Sequence, residues 1–114
     1  MHELGLCEGL LEVTLARAGD RPIRQVRIRA GVTHGVDKAS MEQAFQIVAM
    51  GTSAERATLD LVTVPADLRC RACGQTAPTF DVIALCPQCH SDDVEISGGD
   101  ELVLESIGYA APAP

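Results

Sequence analysis

Apolar residues recur at helical spacing along the first eighteen positions: Leu4, Cys7, Leu11, Leu15 and Ala18, with Leu6 and Leu10 widening the stripe. This predicts an amphipathic helix over 3–18, ended by Gly19-Asp20. The period then changes. Val26, Ile28 and Ala30 alternate with Arg27 and Arg29, so 23–30 reads as a half-exposed strand. Gly31 to Gly35 reads as a loop. Met41, Ala44, Phe45 and Val48 predict a second helix over 38–50, with Asp37 as its N-cap and Gly51 as its stop. The β-branched stretch 57–64 predicts a second strand, closed by Pro65. After Gly98-Gly99, residues 100–107 predict a third.

The order is therefore helix, strand, helix, strand, a metal lobe, strand. The expected fold class is α+β: a small three-stranded sheet packed by two helices, which buries both apolar stripes. The lobe at 67–98 is then an insertion between two strands. The expected division is an α/β domain over 1–66 plus 99–109, the lobe over 67–98, and a disordered tail over 110–114.

Inside the lobe lie two cysteine hooks, Cys70-Arg-Ala-Cys73 and Cys86-Pro-Gln-Cys89, separated by twelve residues. Two CxxC hooks can wrap four thiolates around one tetrahedral ion, the chemistry of a structural zinc site. Gly74 and Pro87 fall where tight turns are expected. Four thiolates close the coordination sphere, so this metal is expected to be structural, held in a four-cysteine, zinc-ribbon-like knuckle. A lobe with so few apolar groups could hardly hold together without its ion. Iron in the same hooks, or disulfides between them, is a competing reading.

Charge narrows the choice of partner. The net charge is −7, but residues 1–71 carry nine acids and nine bases. Residues 72–114 carry seven acids (Asp81, Asp92, Asp93, Glu95, Asp100, Glu101, Glu105) and no Lys or Arg. Nucleic-acid backbones are held by Lys and Arg, so a nucleic-acid-binding zinc ribbon is disfavoured. A basic partner or a metal cation suits this surface better. No apolar run reaches the length of a membrane span and no signal-peptide pattern is seen. With four of the five Cys in CxxC pairs, the expectation is a soluble protein of a reducing compartment.

Met1-His2-Glu3 is a second constellation. A His at position 2 brings the α-amine of Met1, the His2 backbone amide and the His2 imidazole within reach of one ion. Nitrogen donors in a tetragonal arrangement suit Ni²⁺ or Cu²⁺, and the Glu3 carboxylate could complete the sphere. Equally, His2 is what an exposed chain end looks like, and Glu3 suits the dipole of a first helical turn. Other residues have plainer readings: Cys7 as a buried small hydrophobe, His34 as a loop residue, His90 as a neighbour of the second hook, and Arg24, Arg27 and Arg29 as a solvated strand face. No nucleophile–base set and no Gly-rich phosphate loop is present, so no catalytic residue is assigned and an enzyme is not expected.

Taken together, these residues resemble the HypA/HybF family. The likeness runs over about 2–107, from Met1-His2-Glu3 with Leu4-Gly5-Leu6-Cys7, through Val36-Asp37-Lys38, Ala44-Phe45, Gly51-Thr52 and Val64-Pro65, to both hooks, His90-Ser91 and Gly99-Asp-Glu-Leu102. The resemblance implies a cytoplasmic nickel metallochaperone that delivers Ni²⁺ to the large subunit of [NiFe]-hydrogenase. It implies a GTPase partner of the HypB type and, in some members, service to urease maturation. It also implies a nickel site around His2 and nearby backbone nitrogens, helped by Glu3 and approached by Asp37, with Cys70, Cys73, Cys86 and Cys89 as zinc ligands. The stretch Gly31–Val36 fits the family only loosely. The alternative is a zinc-ribbon protein- or nucleic-acid-binding module without nickel transport.

Overall fold

A computed structural model describes residues 2–111. Position 1 and positions 112–114 lie outside the described residues, and with them the expected Met1 nickel ligand and most of the expected tail. The elements run α1 (His2–Ala18), β1 (Ile23–Gly31), a 3-10 turn (Val32–His34), α2 (Lys38–Val48), β2 (Thr58–Val64), β3 (Ala66–Cys70), β4 (Thr76–Thr79), β5 (Val94–Ser97) and β6 (Leu102–Tyr109). The fold is α+β, with two helices and two small sheets.

The first compact unit comprises Met1–Arg29, Val36–Val62 and Val103–Pro114. Its sheet has the order β2-β1-β6. Gly108 of β6 lies against Gln25, and Ala110 N–H donates to Pro22 O at 3.0 Å, so the chain's last described residues close on the start of β1. Ala110 is thus pinned by a backbone hydrogen bond, although the expected tail begins there. Arg21 stacks 3.6 Å over the Tyr109 ring at the same end, a cation–π contact.

Alternation in β1 is as read: Val26 and Ile28 are fully buried while Arg27 points out and pairs with Asp60 of β2 at 2.7 Å. Helix α2 begins where expected. Asp37 has extended backbone and its carboxylate accepts the Ser40 N–H at 3.2 Å. The helix ends earlier than 50, with Ala49 as C-cap, and Gly51 turns the chain two residues later at φ 80°. Helix α1 buries a face centred on Cys7, Leu10, Leu11, Thr14 and Ala18. The predicted stripe included Leu15, which is only partly buried, and left out Thr14, which is fully buried. Thr14 fits because its hydroxyl donates to Leu10 O at 2.7 Å, one turn back, so its only polar atom is answered within the helix.

The second unit comprises Ala30–Gly35 and Thr63–Leu102. It contains a sheet of its own, in the order β4-β3-β5, within the expected zinc-ribbon-like lobe. Both neighbours are antiparallel to β3, with Leu68 opposite Ala77 on one side and Ile96 on the other. Ala30, Ala66, Leu68, Cys70 and Cys86 are its buried apolar side chains. The 30–35 segment is strapped to the chain that follows β5. Gly31 N–H donates to Glu101 O at 2.7 Å, Thr33 N–H to Gly99 O at 2.9 Å, and His34 Nε2 lies 2.9 Å from Asp100 O. The third strand of the first unit's sheet starts at Leu102, two residues later than read, because Gly98 and Gly99 turn the chain at φ 72° and 68°.

Candidate metal centres

Strand β3 delivers Cys70 at its last residue, and the chain turns at once into the first hook. Cys70 N–H donates to Gln75 O at 2.8 Å, and Gly74 N–H returns to Cys70 O at 2.9 Å. The second hook repeats this closure: Cys86 N–H donates to Ser91 O at 2.9 Å, and His90 N–H to Cys86 O at 2.9 Å. Each hook is a tight knuckle that points its backbone N–H groups at its first sulfur. Cys73 N–H lies 3.5 Å from Cys70 Sγ, while the Gln88 and Cys89 N–H groups each lie 3.4 Å from Cys86 Sγ.

The four sulfurs of Cys70, Cys73, Cys86 and Cys89 lie within 4.8 Å of one another. Across the hooks, Cys70 Sγ and Cys89 Sγ are 3.6 Å apart, as are Cys73 Sγ and Cys86 Sγ. A tetrahedron with metal–sulfur bonds of ~2.3 Å has edges of about 3.8 Å, so the spacing fits a four-thiolate ion. The electrostatics prepare one thiolate in advance. Hydrogen bonds from the Cys89 and Gln88 N–H groups outweigh the desolvation of Cys86 and lower it to about 6. Cys73 is opposite: the Gln75 backbone donates to it and pulls it down, but desolvation and the surrounding sulfurs push it up to about 12. Crowded sulfurs of unequal acidity resist carrying four negative charges together, and a divalent cation relieves that repulsion. Arg71 braces the first hook by pairing with Asp93 at 3.2 Å and Glu95 at 3.8 Å.

At the other candidate centre, His2 opens α1 with its ring largely exposed. His2 Nδ1 lies 3.6 Å from Glu3 Oε1. The Glu3 carboxyl is held below its ordinary value, first by its own backbone N–H and also by His2, so it remains an anion beside the imidazole. Glu3 and Leu4 form one wall of a cleft of about 220 Å³, and Ser40, Gln43, Ala44 and Ile47 of α2 form the other. The cleft brings the first turn of α2 to Glu3. Asp37 stands three residues before Ser40 and spends its carboxylate on capping that turn, which lowers its pKa.

The other cysteine and histidines have plain surroundings. Cys7 is fully buried, with its sulfur 3.6 Å from Met41 O and 4.0 Å from Met41 Sδ, and burial raises it to about 11. His34 belongs to the strap described above, and His90 is exposed. One feature escaped the sequence reading: the 80–85 loop, whose apolar side chains stand in solvent. Its signal was the short unalternating run Val82-Ile83-Ala84-Leu85 between the hooks, inside a segment devoid of Lys and Arg.

Residues 1–109 match a family model described as hydrogenase/urease nickel incorporation, metallochaperone, hypA. The chain belongs to the HypA family. Curated HypA relatives include a hydrogenase maturation factor from Dehalococcoides mccartyi, 36% identical over 110 residues that span 94% of this chain and 92% of the relative. Another, from Synechococcus elongatus, is 37% identical, spanning 94% of this chain and 97% of its own. The solution structure of the Ni metallochaperone HypA from Helicobacter pylori superposes with a TM-score of 0.58 at 24% identity, covering 96% of this chain and 98% of that one. That likeness concerns the fold. Among the described residues, no helix of this HypA-family chain is long and apolar enough to cross a membrane.

Proposed function

We propose that this HypA-family chain carries Ni(II) at its amino terminus and delivers it to the large subunit of [NiFe]-hydrogenase during maturation. A zinc ion held by Cys70, Cys73, Cys86 and Cys89 is the structural partner of that activity. The observation that carries the reading is His2: an exposed imidazole on the first turn of α1, 3.6 Å from an ionised Glu3, in a chain whose family is described by nickel incorporation. The imidazole and nearby backbone nitrogens form small chelate rings, a donor set suited to Ni²⁺. Met1 contributes its α-amine, and Glu3 offers a carboxylate oxygen. Asp37 is the weakest member of the set, because its carboxylate already accepts the Ser40 N–H. Few ligands at a chain end hold a cargo loosely, which a carrier requires if it is to release it.

The four thiolates would leave no open position on zinc, which supplies cross-linking of the two hooks and no reaction. The sulfur spacing supports this assignment. A GTPase of the HypB type and the hydrogenase large subunit are the partners that go with this reading, with urease maturation factors as further clients and the cytoplasm as its compartment. Nucleic acid is not a partner in it.

Calorimetric titration of Ni²⁺ into zinc-loaded protein with a native amino terminus, beside His2→Ala, tests the proposal. The expected result is one-to-one binding that His2→Ala or an added amino-terminal tag abolishes while zinc content stays unchanged. Binding that survives His2→Ala overturns the assignment of the site. No binding to the unmodified chain overturns the nickel reading and leaves a zinc-stabilised interaction module.

A further inference from the structure

We infer that the 80–85 loop between the two hooks is a docking knob for a protein partner that offers an apolar cleft rimmed by Lys or Arg. Nine large hydrophobic side chains are exposed among the described residues, and four of them fall in these six consecutive positions: Phe80, Val82, Ile83 and Leu85. Ile83 is 88% exposed, the highest of the nine, and Phe80 63%. Single exposed hydrophobics need no explanation, but four together in one loop do.

The loop is shaped by its own hydrogen bonds. Thr79 Oγ1 accepts the Asp81 N–H at 3.1 Å and donates to Asp81 O at 3.0 Å, while Asp81 Oδ1 accepts the Ile83 N–H at 3.0 Å. Just beyond it, Cys86 is fully buried among the hook sulfurs. The apolar side chains are thus presented from a fixed turn anchored at the metal centre, and part of the ordering cost of binding is met before the partner arrives.

Charge selects the occupant. Asp81 stands within the loop, and residues 72–114 hold seven acids and no Lys or Arg. Arg71, beside the first hook, is already paired with Asp93 and Glu95. A second copy of this chain would set one acidic lobe against another, with −7 on each chain, which like-charge repulsion disfavours. An anionic membrane surface is repelled for the same reason. A protein cleft that is apolar at its floor and basic at its rim meets both properties. This inference concerns the lobe alone and holds whether or not nickel binds at His2.

The test uses zinc-loaded full-length protein and a fluorescently labelled amphipathic peptide with a Leu face flanked by Lys, beside a counterpart flanked by Glu. Fluorescence anisotropy should show binding of the Lys-flanked peptide only, weakened by added salt. Ile83→Ser and Phe80→Ser should each weaken it about tenfold, the scale of one buried large side chain. Asp81→Asn, which keeps the oxygen that accepts the Ile83 N–H, should weaken it less. Val13→Ser, at an exposed apolar position on α1, should leave it unchanged. All three serine variants are at exposed positions, and unchanged zinc content and circular dichroism identify folded protein. Equal binding of the two peptides, indifference to Ile83→Ser, or equal loss with Val13→Ser overturns the inference. Sedimentation showing a dimer that Ile83→Ser dissociates makes a second copy the occupant instead, and binding to phosphatidylserine vesicles lost in Ile83→Ser makes it a membrane; either result overturns the proposal.

Discussion

Gly74 and His90 occupy the same place in the two hooks. Each follows the first cysteine of its hook by four residues, each returns its N–H to that cysteine's carbonyl at 2.9 Å, and each has left-handed backbone, φ 79° and 63°. Glycine adopts this conformation freely, whereas a residue with a Cβ is disfavoured by roughly 1–2 kcal/mol. His90 is the non-glycine residue with positive φ among the described residues, so the second knuckle carries strain that the first avoids. A Cβ at Gly74 meets nothing within 4 Å, so only the backbone matters there. Gly74→Ala should therefore destabilise the lobe by about 1 kcal/mol once the smaller unfolded-state entropy of Ala is counted. His90→Gly should be neutral or slightly stabilising for the mirror reason. Denaturant titrations of the zinc-loaded variants check both; a large loss in His90→Gly would mean that the imidazole itself holds the hook.

The strap at 30–35 should tolerate no side chain at its closest point. A Cβ built on Gly31 would lie 1.9 Å from Gly99 O, and one on Gly99 would lie 2.8 Å from Ala66 Cβ at φ 68°. The Gly99 backbone and the Ala66 Cβ, fixed to its own Cα, cannot rotate away as the end of a long side chain can. Gly31→Ala is expected to cost about 3 kcal/mol or more, in the range of backbone clashes that force local rearrangement. Urea unfolding measures it, with Gly35→Ala as a comparison: that position is left-handed at φ 62° but open, so it should lose only about 1 kcal/mol.

Removing the hook metal should dissolve the second sheet. Strands β4 and β5 have four residues each, and few side chains of this lobe are fully buried. A structural zinc ion contributes about 10–16 kcal/mol in small domains, far more than so little apolar burial supplies. Chelation, or Cys86→Ser, is expected to abolish amide protection in β3, β4 and β5 while the helical circular dichroism of α1 and α2 persists. Protection that survives complete metal loss would show a lobe held by its apolar contacts alone.

Cys7 gives a pH signature separate from the hooks. Burial, with a smaller push from Glu3, raises its thiol from the ordinary 9.0 to about 11. A folded state that prefers the protonated thiol gains stability in full below about pH 9, and that gain is lost as pH rises through about 11. Stability should fall across this window in the unmodified chain, and Cys7→Ala should flatten that part of the profile. Iodoacetamide at pH 8 should leave Cys7 unmodified in folded, metal-loaded protein. Rapid labelling there would mean that the contact between Cys7 and Met41 opens readily.

Long periodic segments were readable from sequence, and short or borrowed ones were not. The alternation Val26-Arg27-Ile28 and the Asp37 cap are local signals, and the structure reproduces both. Thr14 was missed because its hydroxyl is satisfied by the turn below it, which no hydrophobicity pattern records. Strands β4 and β5 were missed because four residues, with Pro78 in one of the two, are too few for a period, and they exist as strands by pairing with β3. The hook cysteines were legible by spacing alone, and the structure gathers their sulfurs. The left-handed backbone at His90 was not part of the sequence reading; it emerges as the counterpart of Gly74 in the first hook.

Asp37 can be resolved into its two candidate roles by the choice of replacement. Its Oδ2 accepts the Ser40 N–H at 3.2 Å, and the same first turn of α2 reaches the cleft shared with Glu3. Asn is as good an N-cap as Asp but carries no charge, whereas Ala loses the cap at a cost of about 1 kcal/mol. The Asp37 carboxyl is lowered by its bond to Ser40, so the stability it supplies is present above the ordinary carboxylate pKa and is lost as pH falls through the lowered one. Asp37→Ala should therefore lower thermal stability at neutral pH and remove that acid-side loss, while Asp37→Asn should keep neutral-pH stability. Nickel titration then separates the roles. If the carboxylate ligates the ion, Asp37→Asn weakens binding several-fold with no change in melting temperature. If it serves only as the cap, Asp37→Asn binds nickel as the unmodified chain does, and the metal site reduces to the amino terminus with Glu3.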